Sequence, residues 1–296
     1  STCSHGGETV HPSFGNANRV YNVIDTRQSY LQRVVTLGLR SLGHDTQAEQ
    51  SIHYSYDMVA LTPAALAELF PDFPLTDEDR KKAYLEMAGR RGLGVRADDL
   101  LDRLEARAAE EVRKRNPEMD DDWCVKTAKQ IAVGALRYYM LRFSRNRVVA
   151  FDLSAALAFE GETGPYLQYS VVRARNILAK VAERHGDDEA RRRGLADRID
   201  LDALAPETLA DHWNLASMLL RIDAVIGLAV ESLELSTVAK HAYVLAQAFN
   251  SFYHKYPVAQ EAQASVRADR AALVRLYHDE MVDLLKLMGM TVPDRM

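Results

Sequence analysis

The chain has 296 residues, an apolar share of 47% and a charged share of 27%, which suits a soluble globular protein of one large domain or two modest ones. Its net charge of −5 argues against indiscriminate coating of nucleic acid, although a local basic surface can still serve phosphates within an acidic total. No stretch approaches the roughly 20 uncharged apolar residues that span a bilayer, and the opening Ser1-Thr2-Cys3-Ser4-His5-Gly6-Gly7 lacks a signal-peptide pattern, so a cytoplasmic protein without a membrane partner is expected.

Cys3 and Cys124 are too few and too far apart for a disulfide framework or a cysteine-rich metal site, and no protein-bound metal is expected. Arg19–Ile24 reads as a short buried strand rich in β-branched residues, followed by a turn and helix cap at Asp25-Thr26. From Gln28 to Leu42, Tyr30, Leu31, Val34, Val35, Leu37, Leu39 and Leu42 recur at helical spacing, and Gly43 stops the helix. A second strand is expected over Tyr56–Leu61, and strand, helix, strand in so few residues is the pattern of a parallel α/β sheet. Pro63, Pro71 and Pro74 punctuate short helical runs over 62–86. Gly89-Arg90-Arg91-Gly92-Leu93-Gly94 is a basic, glycine-punctuated loop, and beyond it everything reads helical.

Those later helices are expected over 98–115, 121–142 and 163–185, then from Ser236 as a cap, and finally over 266–288. In the Ser236 helix, Val238, Ala242, Leu245, Phe249 and Phe252 form one apolar stripe. Lys286 and Gly289 are proper stop signals for the last helix. Charge density peaks near Asn116-Pro117, where proline breaks the helix, and a domain boundary is expected there.

Five stretches carry more than local structure. Phe159-Glu160-Gly161-Glu162-Thr163-Gly164-Pro165-Tyr166-Leu167-Gln168-Tyr169 heads the third of these helices, and Gly134-Ala135-Leu136-Arg137-Tyr138-Tyr139 precedes it. The chain closes on Met288-Gly289-Met290-Thr291-Val292-Pro293-Asp294-Arg295-Met296. Near the front stand Val23-Ile24-Asp25-Thr26-Arg27-Gln28 and His53-Tyr54-Ser55-Tyr56-Asp57-Met58-Val59. Together they resemble the arginyl-tRNA synthetases, which are class I aminoacyl-tRNA synthetases. The first stretch is similar to the block that opens the family's anticodon-binding domain. The second is similar to its "D-A-L-R" signature, with glycine in place of aspartate, and the third to its C-terminal "L-G-L-x-P-x-x-M". The last two are similar to a strand-to-glutamine segment and to "H-x-x-F-G-M-V" of the catalytic domain.

The resemblance implies a mainly α fold. A partial Rossmann-like α/β catalytic remnant over residues 1–120 would precede an all-α helical-bundle anticodon-binding domain over 121–296. It places Gln28 in the arginine pocket and His53, Met58 and Val59 around the adenine of ATP, with Asp57 where a glycine is usual. Read from the residues alone, Gln28 is equally an ordinary helix-onset residue and His53 a structural histidine. Met87–Gly92 aligns with the family's version of the "K-M-S-K-S" loop. There Arg90 and Arg91 would be the catalytic cations that hold the phosphates as pyrophosphate leaves. Gly89 and Gly92 would let the loop close over ATP, while Ala88 and Gly89 replace the usual hydroxyl residues. The alternative is a solvated basic turn.

Tyr166, Tyr169 and Arg173 fall at i, i+3 and i+7 on one helical face. Two rings and a guanidinium suit splayed single-stranded bases, though tyrosines on a long helix also pack in cores with their hydroxyls satisfied. The resemblance assigns all three to the anticodon loop, adds Tyr253 and Met296 to the tRNA contact, and leaves Val171 where relatives often carry histidine. Arg142, Arg145 and Arg147 form a basic cluster, either a solvated helix end or a surface toward the inner corner of tRNA.

No His-x-Gly-His occurs in the chain, although class I synthetases need one to stabilise the adenylate transition state. The expectation is therefore a piece of an arginine–tRNA ligase, inactive by itself and monomeric. Its parent would use ATP with Mg²⁺ to activate L-arginine and load arginine tRNA. A stand-alone, non-catalytic tRNA-binding paralogue is the alternative.

Overall fold

The computed structural model describes residues 17–86, 95–186 and 206–296. By packing, the chain forms two compact units, one up to Asp57 and one from Met58 to Met296.

The first unit is a single parallel α/β repeat. Strand β1 (Val20–Asp25) leads through a 3-10 turn (Thr26–Gln28) into helix α1 (Ser29–Ser41). Helix α2 (Asp45–Glu49) then precedes strand β2 (Ser51–Tyr56). β1 and β2 pair in parallel from Val20↔Ser51 to Asp25↔Tyr56. Asp25 caps the turn, accepting from the Arg27 backbone N–H at 2.7 Å and pairing with its guanidinium at 2.6 Å. The expected first strand and helix are present, and the partner strand lies earlier than expected, at Ser51–Tyr56; β1 is not buried, since Val20, Tyr21 and Val23 stay exposed. Along α1, Tyr30, Leu31, Val34, Val35, Leu37 and Leu42 are exposed as well, and the helix buries none of its residues. The sheet here has two strands, and within this unit no further layer of described residues covers these apolar side chains.

The strand expected over Tyr56–Leu61 is two separate strands. β2 ends at Tyr56, and β3 (Val59–Leu61) begins after Asp57-Met58. β3 pairs in parallel with β4 (Val149–Phe151), with Ala60 opposite Ala150. β4 interrupts the region that reads as wholly helical. Three residues are too few for alternation to announce a strand, and its neighbours in sequence are helix ends.

Helices α3 (Pro63–Leu69), α4 (Asp77–Arg80), α5 (Ala97–Arg115), α6 (Asp121–Leu141) and α7 (Leu153–Leu157) complete the first half of the second unit. Its apolar core takes Leu61 and Leu66 from the β3–α3 segment, Leu104 and Val112 from α5, Ile131 and Tyr139 from α6, and Phe151 and Leu153 from the β4–α7 segment. α5 ends at Arg115, ahead of Asn116-Pro117, yet this core draws on both sides of that point. A second core lies among α8 (Gly164–His185), α9 (Pro206–Leu220), α10 (Ile222–Ser232), α11 (Ser236–Lys255) and α12 (Ala264–Leu287). The expected stripe of α11, Val238 through Phe252, is buried throughout. Phe249 stacks on Tyr277 of α12 with ring centroids 3.9 Å apart, and Tyr277 shares a 2.6 Å hydroxyl hydrogen bond with Ser170 of α8. Ser236 is the first residue of α11 rather than its cap, and its hydroxyl donates to Glu234 Oε1 at 2.9 Å. Among the described residues no helix is long and apolar enough to cross a membrane.

Candidate nucleic-acid interface

Helix α8 is fixed at its start by sequence. Thr163 caps it by accepting from the Tyr166 backbone N–H at 3.3 Å and donates its own hydroxyl to the Ala158 carbonyl at 2.6 Å, while Pro165 occupies the first turn, where a missing N–H costs nothing. Its inward stripe of Leu167, Val171, Ala174, Leu178 and Val181 is buried. Val171 is therefore a core residue, with no surface to offer a ligand.

The other side of α8 meets α11 in a polar and aromatic seam. Asn250 Nδ2 donates to the Tyr166 hydroxyl at 2.8 Å, and Arg173 Nη1 donates to Asn250 Oδ1 at 2.7 Å. The Arg173 guanidinium lies 4.8 Å from the ring centroid of Tyr169 and 5.9 Å from that of Tyr253. Tyr166 leans on the bundle core and tilts against Tyr243 at 5.6 Å. Gln247 Nε2 donates to the Tyr243 hydroxyl at 3.0 Å, and burial pushes that hydroxyl's pKa above its ordinary value, with Tyr166 and Glu162 adding to the effect. Tyr169 keeps 37% of its surface exposed. The structure thus brings Tyr166, Tyr169, Arg173 and Tyr253 together, and the two readings of the tyrosines divide between them. Tyr166 is half core with its hydroxyl bonded, and Tyr169 is an open ring.

Sequence reasoning missed Tyr243, Gln247 and Asn250. With Tyr253 they recur at i, i+4, i+7 and i+10 along α11, beside the apolar stripe, so a search for polar periodicity would have found them.

The basic cluster is differently placed. Arg142 donates to the Glu162 carbonyl at 2.6 Å, and its guanidinium covers Tyr139 at 4.2 Å and Phe143 at 4.7 Å. It is an internal tie between α6 and the start of α8. Glu234 accepts from the Ser144 hydroxyl at 2.9 Å and from the Arg145 backbone N–H at 3.4 Å, which pins that turn, while Arg147 is exposed.

The Gly134-Ala135-Leu136-Arg137 signature lies where α6, α8 and the C-terminal tail meet. A Cβ on Gly164 would run into the Gly134 carbonyl, and one on Gly134 would sit 2.6 Å from Gln168 Nε2. The space an aspartate side chain would need at 134 is taken by the Gln168 amide. That amide donates to the Gln130 carbonyl at 2.9 Å and the Thr291 carbonyl at 2.7 Å. Gly289 follows α12 at φ 75°, and a Cβ there would lie 3.1 Å from the Arg137 guanidinium. Arg175 donates to the Pro293 carbonyl at 2.9 Å and Arg295 pairs with Glu118 at 2.7 Å. Met296 then packs against the core that includes α5 and α6. The tail is held by Gln168 and Arg175, on a different side of α8 from Tyr166 and Arg173.

In the first unit, His53 Nε2 lies 2.9 Å from the Ile24 carbonyl, an acceptor, so this nitrogen carries the proton. Gln28 is exposed at the start of α1 and makes no side-chain cap. In the second unit, the Met58 carbonyl accepts from the Val149 backbone N–H at 3.0 Å, and Val59 is 43% exposed. Gly89, Arg90, Arg91 and Gly92 lie outside the described residues.

Residues 167–296 match the family described as the DALR anticodon binding domain. The arginine–tRNA ligase of Aeropyrum pernix is 32% identical over 282 residues, covering 95% of this chain and 38% of that protein. That of Deinococcus radiodurans is 31% identical over 291 residues, covering 96% and 43%. The structure of Thermus thermophilus arginyl-tRNA synthetase matches with a TM-score of 0.74 at 27% identity, over 95% of this chain and 41% of the other. The chain therefore spans about two fifths of the length of these relatives.

Proposed function

We propose, from the premise that this chain belongs to the arginyl-tRNA synthetase family, that it supplies the anticodon-reading part of an arginine–tRNA ligase, with α8 and α11 as the reading surface. One observation carries the proposal: the Arg173 guanidinium lies 4.8 Å from the ring centroid of Tyr169 and 5.9 Å from that of Tyr253 and has no acidic partner among the described residues. An aromatic face beside an unneutralised fork of N–H donors suits unstacked loop bases and the phosphates that join them.

The whole ligase would join L-arginine to arginine tRNA at the expense of ATP, which brings its Mg²⁺ as a substrate complex. The arginine carboxylate attacks the α-phosphate, pyrophosphate leaves, and the arginyl group passes from the adenylate to the 3′ end of the tRNA. Binding and electrostatics promote these steps without a covalent enzyme intermediate. On the same reading Gln28 serves arginine, His53, Met58 and Val59 serve the adenine, and Arg90 and Arg91 serve the phosphates. Fluorescence titration of the 296-residue chain with arginine tRNA and with the same tRNA carrying a replaced anticodon tests the proposal. Tighter binding of the first is expected, and equal binding of both would overturn it.

A further inference from the structure

Among the described residues, Asn250 is the one side chain bonded to both Tyr166 and Arg173, and it uses both ends of its amide to do so. Its Oδ1 accepts from Arg173 Nη1 at 2.7 Å and its Nδ2 donates to the Tyr166 hydroxyl oxygen at 2.8 Å. The two bonds fix which way the amide points, because a guanidinium can only donate. They also fix what remains. The Tyr166 oxygen is occupied as an acceptor, so its O–H proton is directed away from Asn250. Arg173 has four more N–H groups than the one it spends here, and the described residues take up none of them. The face presented beside the rings of Tyr169 and Tyr253 is therefore a set of donors, with Asn250 behind it.

We propose that Asn250 is a positioning residue that makes this surface selective for hydrogen-bond acceptors, the carbonyl oxygens and ring nitrogens of unpaired bases or the oxygens of loop phosphates. The inference rests on the anticodon-reading proposal and deepens it. A carboxylate of the same shape would reverse the polarity. An aspartate at 250 would accept from both neighbours, drawing the Tyr166 proton inward and neutralising the Arg173 charge. An alanine would release both side chains but leave the charge of Arg173 in place.

The experiment titrates the full chain and its Asn250→Asp, Asn250→Ala and Tyr169→Ala variants with an arginine-tRNA anticodon stem-loop, and with one whose anticodon bases are replaced, at two salt concentrations. Thermal melting is followed in parallel. Asn250→Asp should keep the parent's melting temperature yet bind about ten- to a hundred-fold more weakly, the scale of one hydrogen bond to a charged group. It should also flatten the salt dependence by about one phosphate contact, and Asn250→Ala should lose less. A role confined to packing would not make the isosteric acid worse than alanine. A loss confined to the matched loop identifies base acceptors, and a loss shared by both loops identifies phosphates. If Tyr169→Ala loses affinity while Asn250→Asp binds like the parent, the positioning role is overturned and the anticodon reading stands. If the parent itself does not bind the stem-loop, both fall.

Discussion

Tyr169 and Phe249 are both aromatic residues of one helical bundle, and their surroundings give them different work. Tyr169 is 37% exposed with a guanidinium over its ring, whereas Phe249 is fully buried and stacked on Tyr277. Tyr169→Ala should therefore cost about 1–3 kcal/mol of arginine-tRNA binding, the value of one base stack, with an unchanged melting temperature. Phe249→Ala should cost about 3–5 kcal/mol of stability. Titration and melting of the two variants separate these outcomes, and an unfolded Tyr169→Ala would make that tyrosine a core residue. The i, i+3, i+7 spacing is enough by itself to place Tyr166, Tyr169 and Arg173 on one helical face. The place of Asn250 on α11 follows from the same kind of spacing, but its bonds do not, because its two partners lie 77 and 84 residues away in the chain and a side-chain bond across a bundle leaves no periodic trace. The same limit hides the internal role of Arg142, whose partner is a backbone carbonyl.

Between elements, α6 and α8 come into backbone contact where Gly164 faces Gly134. Backbone cannot move aside as a side chain can, so Gly164→Ala should cost about 1–3 kcal/mol or more as an overpacked contact. Gly134→Ala meets the Gln168 amide first, the end of a flexible side chain, and should be milder in melting. Its effect should fall on the tail instead: displacing that amide breaks its bond to Thr291, and faster hydrogen exchange after Met290 would reveal it. The α9–α11 packing adds a pH dependence. His212 donates from Nδ1 to the Thr208 carbonyl at 2.6 Å, packs edge-on against Phe252 and has its Nε2 buried without a hydrogen-bond partner among the described residues. Burial, aided by Arg270, holds its pKa below the ordinary 6.5. The unfolded chain therefore takes up a proton on this histidine before the folded one does, and stability falls as pH drops below about 6.5. Melting at about pH 7.5 and about pH 5.5 should show the loss, reduced in His212→Leu; no difference between the two pH values would refute it. At this scale the sequence is a good guide wherever a helix is long, because apolar spacing repeats over several turns. It misleads over the three-residue β3 and β4, which depend on each other for existence, and over the burial of β1, which depends on what lies beside it.

For the molecule as a whole, the proposed function separates binding from chemistry. The bundle that carries Tyr169 and Arg173 has an apolar core of its own. The α/β unit differs: β1 and α1 leave Val23 64% exposed, Tyr30 72% exposed and Leu37 60% exposed, a large apolar area for so small a unit. The chain also holds no His-x-Gly-His, the element that on the proposed function would meet the charge building on ATP as the adenylate forms. Positioned donors aimed at developing charge supply much of the rate in such transfers, and their loss cannot be made good by tRNA binding elsewhere. The 296-residue chain should therefore bind arginine tRNA and yet show no arginine-dependent exchange of pyrophosphate into ATP, with or without that tRNA present. Exchange is measured by incorporation of labelled pyrophosphate against a protein-free control, beside a binding titration on the same preparation. Binding without exchange is the expected pair of results. Exchange above the control would mean that other residues of this chain stabilise the adenylate transition state, and would overturn the proposed division of binding from chemistry.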